Sequence, residues 1–372
     1  MRLGVDRERA VGNRLADGHV RDSSDQGGKR VRLSWFTWEG LACVAVLVTL
    51  CVVFGDDEPV EEDGTVALNG HVGMVETVRF SPDGASLVTS CWDRTVKLWD
   101  VDDPQQHPDR EMASLTGESE MYTAAFSPDG GTLAATGLLG LTIWNWRDPQ
   151  SFPEVKALFG PCRTATFAPD GRSVAVGGVD RQIRIWDPKT DRVLAVLSGH
   201  RDVIHALAFV PDGSMLMSLS FDGALKFWDM RDYREIDRLE GNNERVHSVS
   251  LSRDGRTVAL SRLGANDREI EVWDLESNTL KVVCPGHDAE VHALTFSPNG
   301  RLLASAGGDR TLRFWNTETG EPAGRIKQDV GWVRALDISS DGRWLAYAGA
   351  FNKVCLKRLD LAPEPVPASE SS

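Results

Sequence analysis

Basic charge is the first thing this 372-residue sequence is short of: 41 Lys and Arg stand against 55 Asp and Glu, for a formal net charge of −14. Nucleic-acid binding rests on clustered cations that displace counterions from phosphates, so this balance argues against a nucleic-acid partner. Paired cysteines are also missing. The six cysteines, at positions 43, 51, 91, 162, 284 and 355, form no CxxC pair and match neither a zinc-site nor a disulfide spacing, so they read as packing residues. No Walker loop, dinucleotide fingerprint, HExxH or GxSxG motif occurs. Enzyme classes built on those motifs lose their support, and no cofactor, bound metal or small-molecule substrate is implied. With 41% hydrophobic and 26% charged residues, the chain nevertheless has the material for a large core.

The ends of the chain differ from its middle. Residues 1–33 are polar and show neither helical nor strand periodicity, which predicts a disordered segment. From Trp35 to Phe54 the sequence WFTWEGLACVAVLVTLCVVF is long enough for a transmembrane helix, predicted over residues 34–55. Glu39 then falls at headgroup depth beside Trp35 and Trp38, whose amphipathic rings suit that level. Lys29, Arg30 and Arg32 precede the run, and an acidic linker, residues 56–64, follows it. The positive-inside rule therefore places the N-terminus in the cytoplasm and the remainder on the opposite side of the membrane. A cleaved signal peptide is the alternative, opposed by the long polar stretch before the run and the lack of an A-x-A site after it. In that compartment, unpaired cysteines would have to be buried. Residues 362–372, APEPVPASESS, predict a flexible tail.

Between these ends, residues 65–361 repeat. Trp99, Trp144, Trp186, Trp228, Trp273 and Trp315 stand 45, 42, 42, 45 and 42 residues apart, each closing a run such as RTVKLWD or RQIRIWD that reads as a half-buried strand. A tight-turn signal recurs seven times: SPDG at 81–84 and 127–130, APDG at 168–171, VPDG at 210–213, SRDG at 252–255, SPNG at 297–300 and SSDG at 339–342. Proline sets φ, Asp or Asn bonds its own backbone and Gly accepts positive φ, so each unit carries one hairpin. A small antiparallel sheet cannot bury both faces alone, whereas seven arranged radially bury each face against a neighbour.

With its Gly-His pairs at 70–71, 199–200 and 286–287 and Trp-Asp pairs at 99–100, 186–187, 228–229 and 273–274, this region resembles the WD-repeat (WD40) family. The resemblance implies an all-β, seven-bladed WD40 β-propeller, here preceded by one transmembrane helix. It also implies structural tetrads: His71, Thr89, Asp93 and Trp99; His200, Ser218, Asp222 and Trp228; and His287, Ser305, Asp309 and Trp315. A His-Asp-Ser set is also what a hydrolase triad needs, but repetition at one register argues for structure, since catalysis needs such a site once. The second repeat departs with Leu138 at the Asp position, the third keeps Asp180 and the fifth Asp267, and the seventh has Phe351 and Lys357 for Asp and Trp. The family's ring closure would draw the last blade's outermost strand from residues 65–69.

The resemblance further implies that partner proteins or peptides meet the narrow top face. The first positions of the innermost strands would be Glu76, Tyr122, Arg163, His205, His247, His292 and Arg334. Candidate protein-binding residues are Trp92, Tyr122, Arg163, His205, Phe221, Arg245, His247, His292, Trp332 and Arg334. Trp92, Tyr122, Phe221 and Trp332 are of types favoured at interface hot spots, and Arg163, Arg245 and Arg334 could clamp a carboxylate or phosphate. The competing reading is a decorated rim with no dedicated ligand. His205, His247 and His292 sit at equivalent positions on successive repeats. Adjacent inner strands are expected to hold them too far apart to share a metal, which leaves a pH-sensitive rim as their expected role. The reading that results is a membrane-anchored, non-catalytic interaction scaffold. The alternative is an enzyme or metal-binding module at the channel rim, for which the rim offers Glu76 with histidines but no paired acids at suggestive spacing; a purely structural subunit of a larger assembly is a third reading.

Overall fold

A four-residue turn, used seven times, sets the architecture. At Ser81–Gly84 the Gly84 amide donates to the Ser81 carbonyl at 2.8 Å, the Ser81 amide to the Ser86 carbonyl at 2.8 Å, and the Ala85 amide to Asp83 Oδ1 at 3.1 Å. Gly84 takes φ +75°, a conformation that costs a side-chain-bearing residue energy, and the glycine of the last turn, Gly342, takes +74°. Each turn joins the first and second strands of one sheet.

The computed structural model describes residues 64–102, 111–148, 154–156, 159–240, 245–263, 268–328 and 330–359. The chain divides into Met1–Pro59 and Val60–Ser372, and all the described structure belongs to the second unit. The expected head (1–33), transmembrane helix (34–55), nearly all of the acidic linker, the tail (362–372) and Asp267 lie outside the described residues. Among the described residues no helix is long and apolar enough to cross a membrane.

Twenty-eight strands form seven four-stranded antiparallel sheets. Blade 1 comprises Val75–Phe80, Ser86–Cys91, Thr95–Asp100 and Glu111–Thr116, and five further blades follow in the same order within residues 121–156, 162–198, 204–240, 245–284 and 291–327. Blade 7 takes Val333–Ile338, Trp344–Gly349 and Val354–Arg358 from the C-terminal side, and its fourth strand is Thr65–Leu68 from the start of the propeller. Thr65 pairs with Lys357, Val66 with Leu356, Ala67 with Cys355 and Leu68 with Val354. The innermost strand Val333–Ile338 packs beside Val75–Phe80, and the Phe80 amide donates to Asp337 Oδ2 at 2.8 Å, so the ring is closed.

The core lies between blades, not within them. Second strands such as Ser86–Cys91, Leu133–Gly137 and Val174–Gly178 are buried along their whole length, while outermost strands such as Glu111–Thr116 are mostly exposed. Seven apolar clusters fill the seven gaps. One joins Val88, Val96 and Leu98 of blade 1 to Met121, Ala124 and Leu133 of blade 2; another joins Leu68, Val354 and Leu356 of blade 7 to Val75, Leu87 and Trp99 of blade 1.

Three blades contain complete polar chains. In blade 1, His71 Nδ1 lies 2.9 Å from Asp93 Oδ2, His71 Nε2 2.7 Å from Thr89 Oγ1, and the Trp99 indole donates to Thr89 Oγ1 at 2.9 Å. The carboxylate can only accept, so Nδ1 carries the proton and Nε2 accepts from the hydroxyl. Blade 4 repeats the chain at 3.0, 2.7 and 2.8 Å through His200, Asp222, Ser218 and Trp228. Blade 6 repeats it at 3.0, 2.7 and 2.8 Å through His287, Asp309, Ser305 and Trp315. Each Asp also accepts the amide just after the histidine, Val72, Arg201 or Asp288, which fastens the loop entering the blade to the turn between its second and third strands.

Blades 3 and 5 satisfy the tryptophan otherwise. With Val176 at the hydroxyl position of blade 3, the Trp186 indole donates to Asp191 at 3.1 Å. In blade 5, where Leu260 stands there, Trp273 donates to Glu271 at 2.8 Å, and Glu271 is held by Arg262. Blade 2 departs from the expected alignment: Gly137 pairs with Gly140, so its turn is one residue shorter than in blade 1 and Leu138-Leu139 form a two-residue tip. Leu138 therefore does not replace the Asp, because this turn has no position for one.

Candidate functional site

All seven innermost strands break register at the same place. The pairing skips from Val75 to Thr77, Met121 to Thr123, Cys162 to Thr164, Ile204 to Ala206, Val246 to Ser248, Val291 to Ala293 and Val333 to Ala335. The skipped residues are Glu76, Tyr122, Arg163, His205, His247, His292 and Arg334. These are the positions expected to open the inner strands. They stand second or third in their strands, each at a β-bulge, a device that frees a residue from the ladder and re-aims its side chain. All seven line the mouth of one central channel of about 250 Å³.

The acid organises one side of that mouth. Glu76 Oε1 accepts from the Trp92 indole at 2.8 Å and lies 3.7 Å from Arg163 Nη2, and Glu76 Oε2 lies 3.5 Å from Arg334 Nε. The Arg163 guanidinium stands over the Tyr122 ring, 4.2 Å from its centroid, in a cation–π contact. Burial raises the Tyr122 phenol above its ordinary value. Glu76 thus sits among cations, and a second carboxylate, Glu120, accepts from the Tyr122 hydroxyl at 3.4 Å.

Imidazoles make up the other side. His205 stacks on Phe221 with centroids 4.4 Å apart, His247 Nε2 lies 3.2 Å from His292 Nδ1, and the Trp332 ring stands 6.4 Å from His292. One expectation is sharpened and one needs correction. Bulges on adjacent strands bring His247 and His292 into contact, but the three imidazoles, as expected, do not come together: among the described residues no group that includes His205 offers three ligand atoms within 4.8 Å of one another. The rim also does not change charge near neutrality: burial, reinforced by neighbouring charged groups, holds His205 down to about 3 and His247 and His292 to about 4.

Around this mouth, the turn between second and third strands is pinned to the loop that enters the blade. The Trp92 amide donates to the Met74 carbonyl, Val179 to Pro161, Phe221 to Val203, Gly308 to Glu290 and Ala350 to Trp332. This end of the ring therefore presents Trp92 half-buried and Phe221 and Trp332 exposed at 40% and 44%. Arg245 begins its strand, and its side chain lies outside what the structure describes. Three further exposed residues here lie outside the expected binding set, Leu138, Leu139 and Val179 on the adjacent blades 2 and 3. Their turn positions were legible; their exposure was not. The four described cysteines, Cys91, Cys162, Cys284 and Cys355, are buried, with the Cys91 and Cys162 thiols pushed up to about 12 by burial.

Comparison with known proteins agrees with this geometry. The family model described as "WD domain, G-beta repeat" matches residues 63–100, 154–187, 191–229 and 278–316. The chain is a WD-repeat protein. Among its relatives is the nuclear distribution protein PAC1 of Arthroderma benhamiae, 26% identical over 287 residues, covering 67% of this chain and 60% of the relative. The Arabidopsis thaliana protein "cell division cycle 20.1, cofactor of APC complex" is 25% identical over 294 residues, covering 76% of this chain and 63% of its own length. The small ribosomal subunit protein RACK1 of Candida albicans is 28% identical over 129 residues, covering 32% and 39%. The chain spans about 60% of the length of the first of these curated relatives.

The histidine burial has a measurable consequence. Unfolded histidines bind protons near the ordinary value of 6.5, whereas His247 and His292 in the WD-repeat ring resist protonation until about 4. Stability from these groups is therefore complete above the unfolded value and is lost as pH falls from there toward the folded value. Thermal melts should drop between about pH 7 and about pH 4, and a His247→Gln, His292→Gln variant should drop less steeply. Equal slopes in the two proteins would mean these rings are not a source of the dependence.

Proposed function

We propose that this WD-repeat chain is a non-catalytic scaffold that holds a protein or peptide at the channel-mouth end of its ring and is tethered to a membrane by residues 34–55. The observation that carries the docking reading is how exposed apolar side chains are distributed. Val72, Leu138, Leu139, Val179, Phe221, Trp332 and Phe351 all lie in loops or turns at the channel-mouth end. At the opposite end, among the described residues, Tyr233, in the turn between the third and fourth strands of blade 4, is the one exposed large hydrophobic residue, and the other six, Met112, Val193, Leu194, Val196, Ile236 and Leu280, lie on outermost strands. Large apolar groups gathered on one face, rimmed by Glu76, Arg163 and Arg334, are the composition of a protein interface. The relatives' names support the same class: one is a cofactor of a complex and another a ribosomal subunit protein.

The tether rests on the sequence alone, on the apolar run ending at Phe54, the basic residues before it and the acidic residues after it. In that arrangement the N-terminus is cytoplasmic and the ring lies on the opposite side of the membrane.

Affinity capture with the full-length chain should recover a protein partner, and Trp332→Ala with Arg334→Ala should reduce recovery by about tenfold or more, as loss of an aromatic and an arginine anchor does. Undiminished recovery by the double variant would move the binding surface elsewhere. Protease added outside intact cells or spheroplasts should cut the ring; a ring that is spared contradicts the orientation.

A further inference from the structure

We propose that the imidazole side of the channel mouth is a binding site for one divalent transition-metal ion such as zinc, with His247 Nε2 and His292 Nδ1 as its preformed ligand pair and His205 Nε2 as the third ligand. This does not rest on the protein-docking reading.

The geometry of the pair is the first support. Two nitrogens each about 2.05 Å from a tetrahedral ion stand about 3.3 Å apart. His247 Nε2 and His292 Nδ1 are 3.2 Å apart, with their rings at 70° to each other. Without metal the same distance serves an N–H···N hydrogen bond. At this pair, binding an ion requires the donating ring to move its proton to its other nitrogen, so two neutral imidazoles become two ligands with no net loss of protons.

A second and independent observation concerns His205. Its Nε2 is buried and has no hydrogen-bond partner, although the ring lines the same channel mouth and is fixed by stacking on Phe221. Buried polar nitrogens without partners are rare, so this one calls for a partner that the ring itself does not supply. In the metal-free geometry the three ring nitrogens do not share one coordination sphere: among the described residues, the only triple with ligand atoms within 4.8 Å of one another is His71, Cys91 and Asp93, whose histidine already serves the blade 1 tetrad. Binding therefore has to draw His205 toward the pair.

The surroundings are cationic: Arg163 and Arg334 flank the three histidines in ring order, and although Glu76 holds both, the charge of Arg334 bears on all three rings and that of Arg163 on His205, so the ion has to bind against that field. Blade 6 has Gly308 at the turn position that Trp92 and Phe221 fill in blades 1 and 4, and a Cβ there would stand 3.5 Å from His292 Nε2. Imidazole ligands suit zinc, copper, nickel and cobalt and disfavour calcium and magnesium. Three histidines leave a fourth position for water or for a group on a bound molecule.

The test uses the full-length chain and zinc itself, measured by competition with a chromophoric chelator, with cobalt(II) as a spectroscopic substitute. One zinc per chain and a visible cobalt band of tetrahedral intensity are expected. His247→Gln and His292→Gln should each abolish the band and weaken zinc binding by more than about tenfold, the scale on which metal sites respond to loss of supporting groups. Unchanged circular dichroism without metal will show that these variants are folded. His205→Gln should weaken binding while the pair remains, and unchanged affinity there overturns the third-ligand assignment. Failure of the wild type to bind zinc, or zinc kept by the His247→Gln, His292→Gln variant as it would be by the His71 triple, overturns the site.

Discussion

A blade of this ring is apolar on both faces, and no single four-stranded sheet can remain in water that way. Everything else in the structure depends on that constraint. Leu87, Val88 and Val96 of blade 1 are fully buried, but Leu87 packs toward blade 7 while Val88 and Val96 pack toward blade 2. Each buried aliphatic side chain contributes about 1.5–3 kcal/mol only while its neighbour is present. The stabilising unit is therefore the gap between two blades. Seven blades have seven gaps only if the last meets the first, which makes Thr65–Leu68 a structural necessity: Leu68, fully buried, sits in the cluster that seals blade 7 to blade 1.

Polar chains inside blades 1, 4 and 6 add specificity to this packing. A hydroxyl at Thr89, Ser218 or Ser305 meets an imidazole and an indole at once, and removing it would leave two buried groups unpaired at about 1–3 kcal/mol each. The same Asp that orients the histidine holds the incoming loop, so the rigidity of the blade reaches the channel-mouth end. The side chains proposed for docking stand on that end, whose loops are anchored yet free in sequence. The opposite end is fixed by a turn in which Asp or Asn followed by Gly recurs in all seven blades, with Pro before it in five.

The sequence made legible whatever is repeated. Seven turn signals gave seven blades, and the Gly-His and Trp-Asp pairs marked the tetrads residue by residue, because a buried polar network demands its partners at set spacing. Non-repeated features were harder to read. A β-bulge at Glu76, Tyr122, Arg163, His205, His247, His292 and Arg334 has no one-letter signature, so the inward aim of these residues and the contact of His247 with His292 were not deducible from spacing. Their depressed proton affinity follows from burial in the ring and likewise had no local signal. In blade 2, replacing a five-residue turn segment by one a residue shorter looked like substitution of Leu138 for Asp until the pairing of Gly137 with Gly140 showed a deletion. In blade 5 the loss of the tetrad hydroxyl to Leu260 is offset by Glu271, a carboxylate at the register where blades 1 and 4 carry Lys97 and Lys226.

Amide hydrogen exchange on the full-length chain tests the closure on which the ring depends. The account predicts that the ladder amides of Thr65–Leu68 are protected as strongly as those of Val354–Arg358, exchanging only when the whole ring unfolds. Exchange of residues 65–68 at the rate of an unfolded chain, while the other blades stay protected, would contradict it.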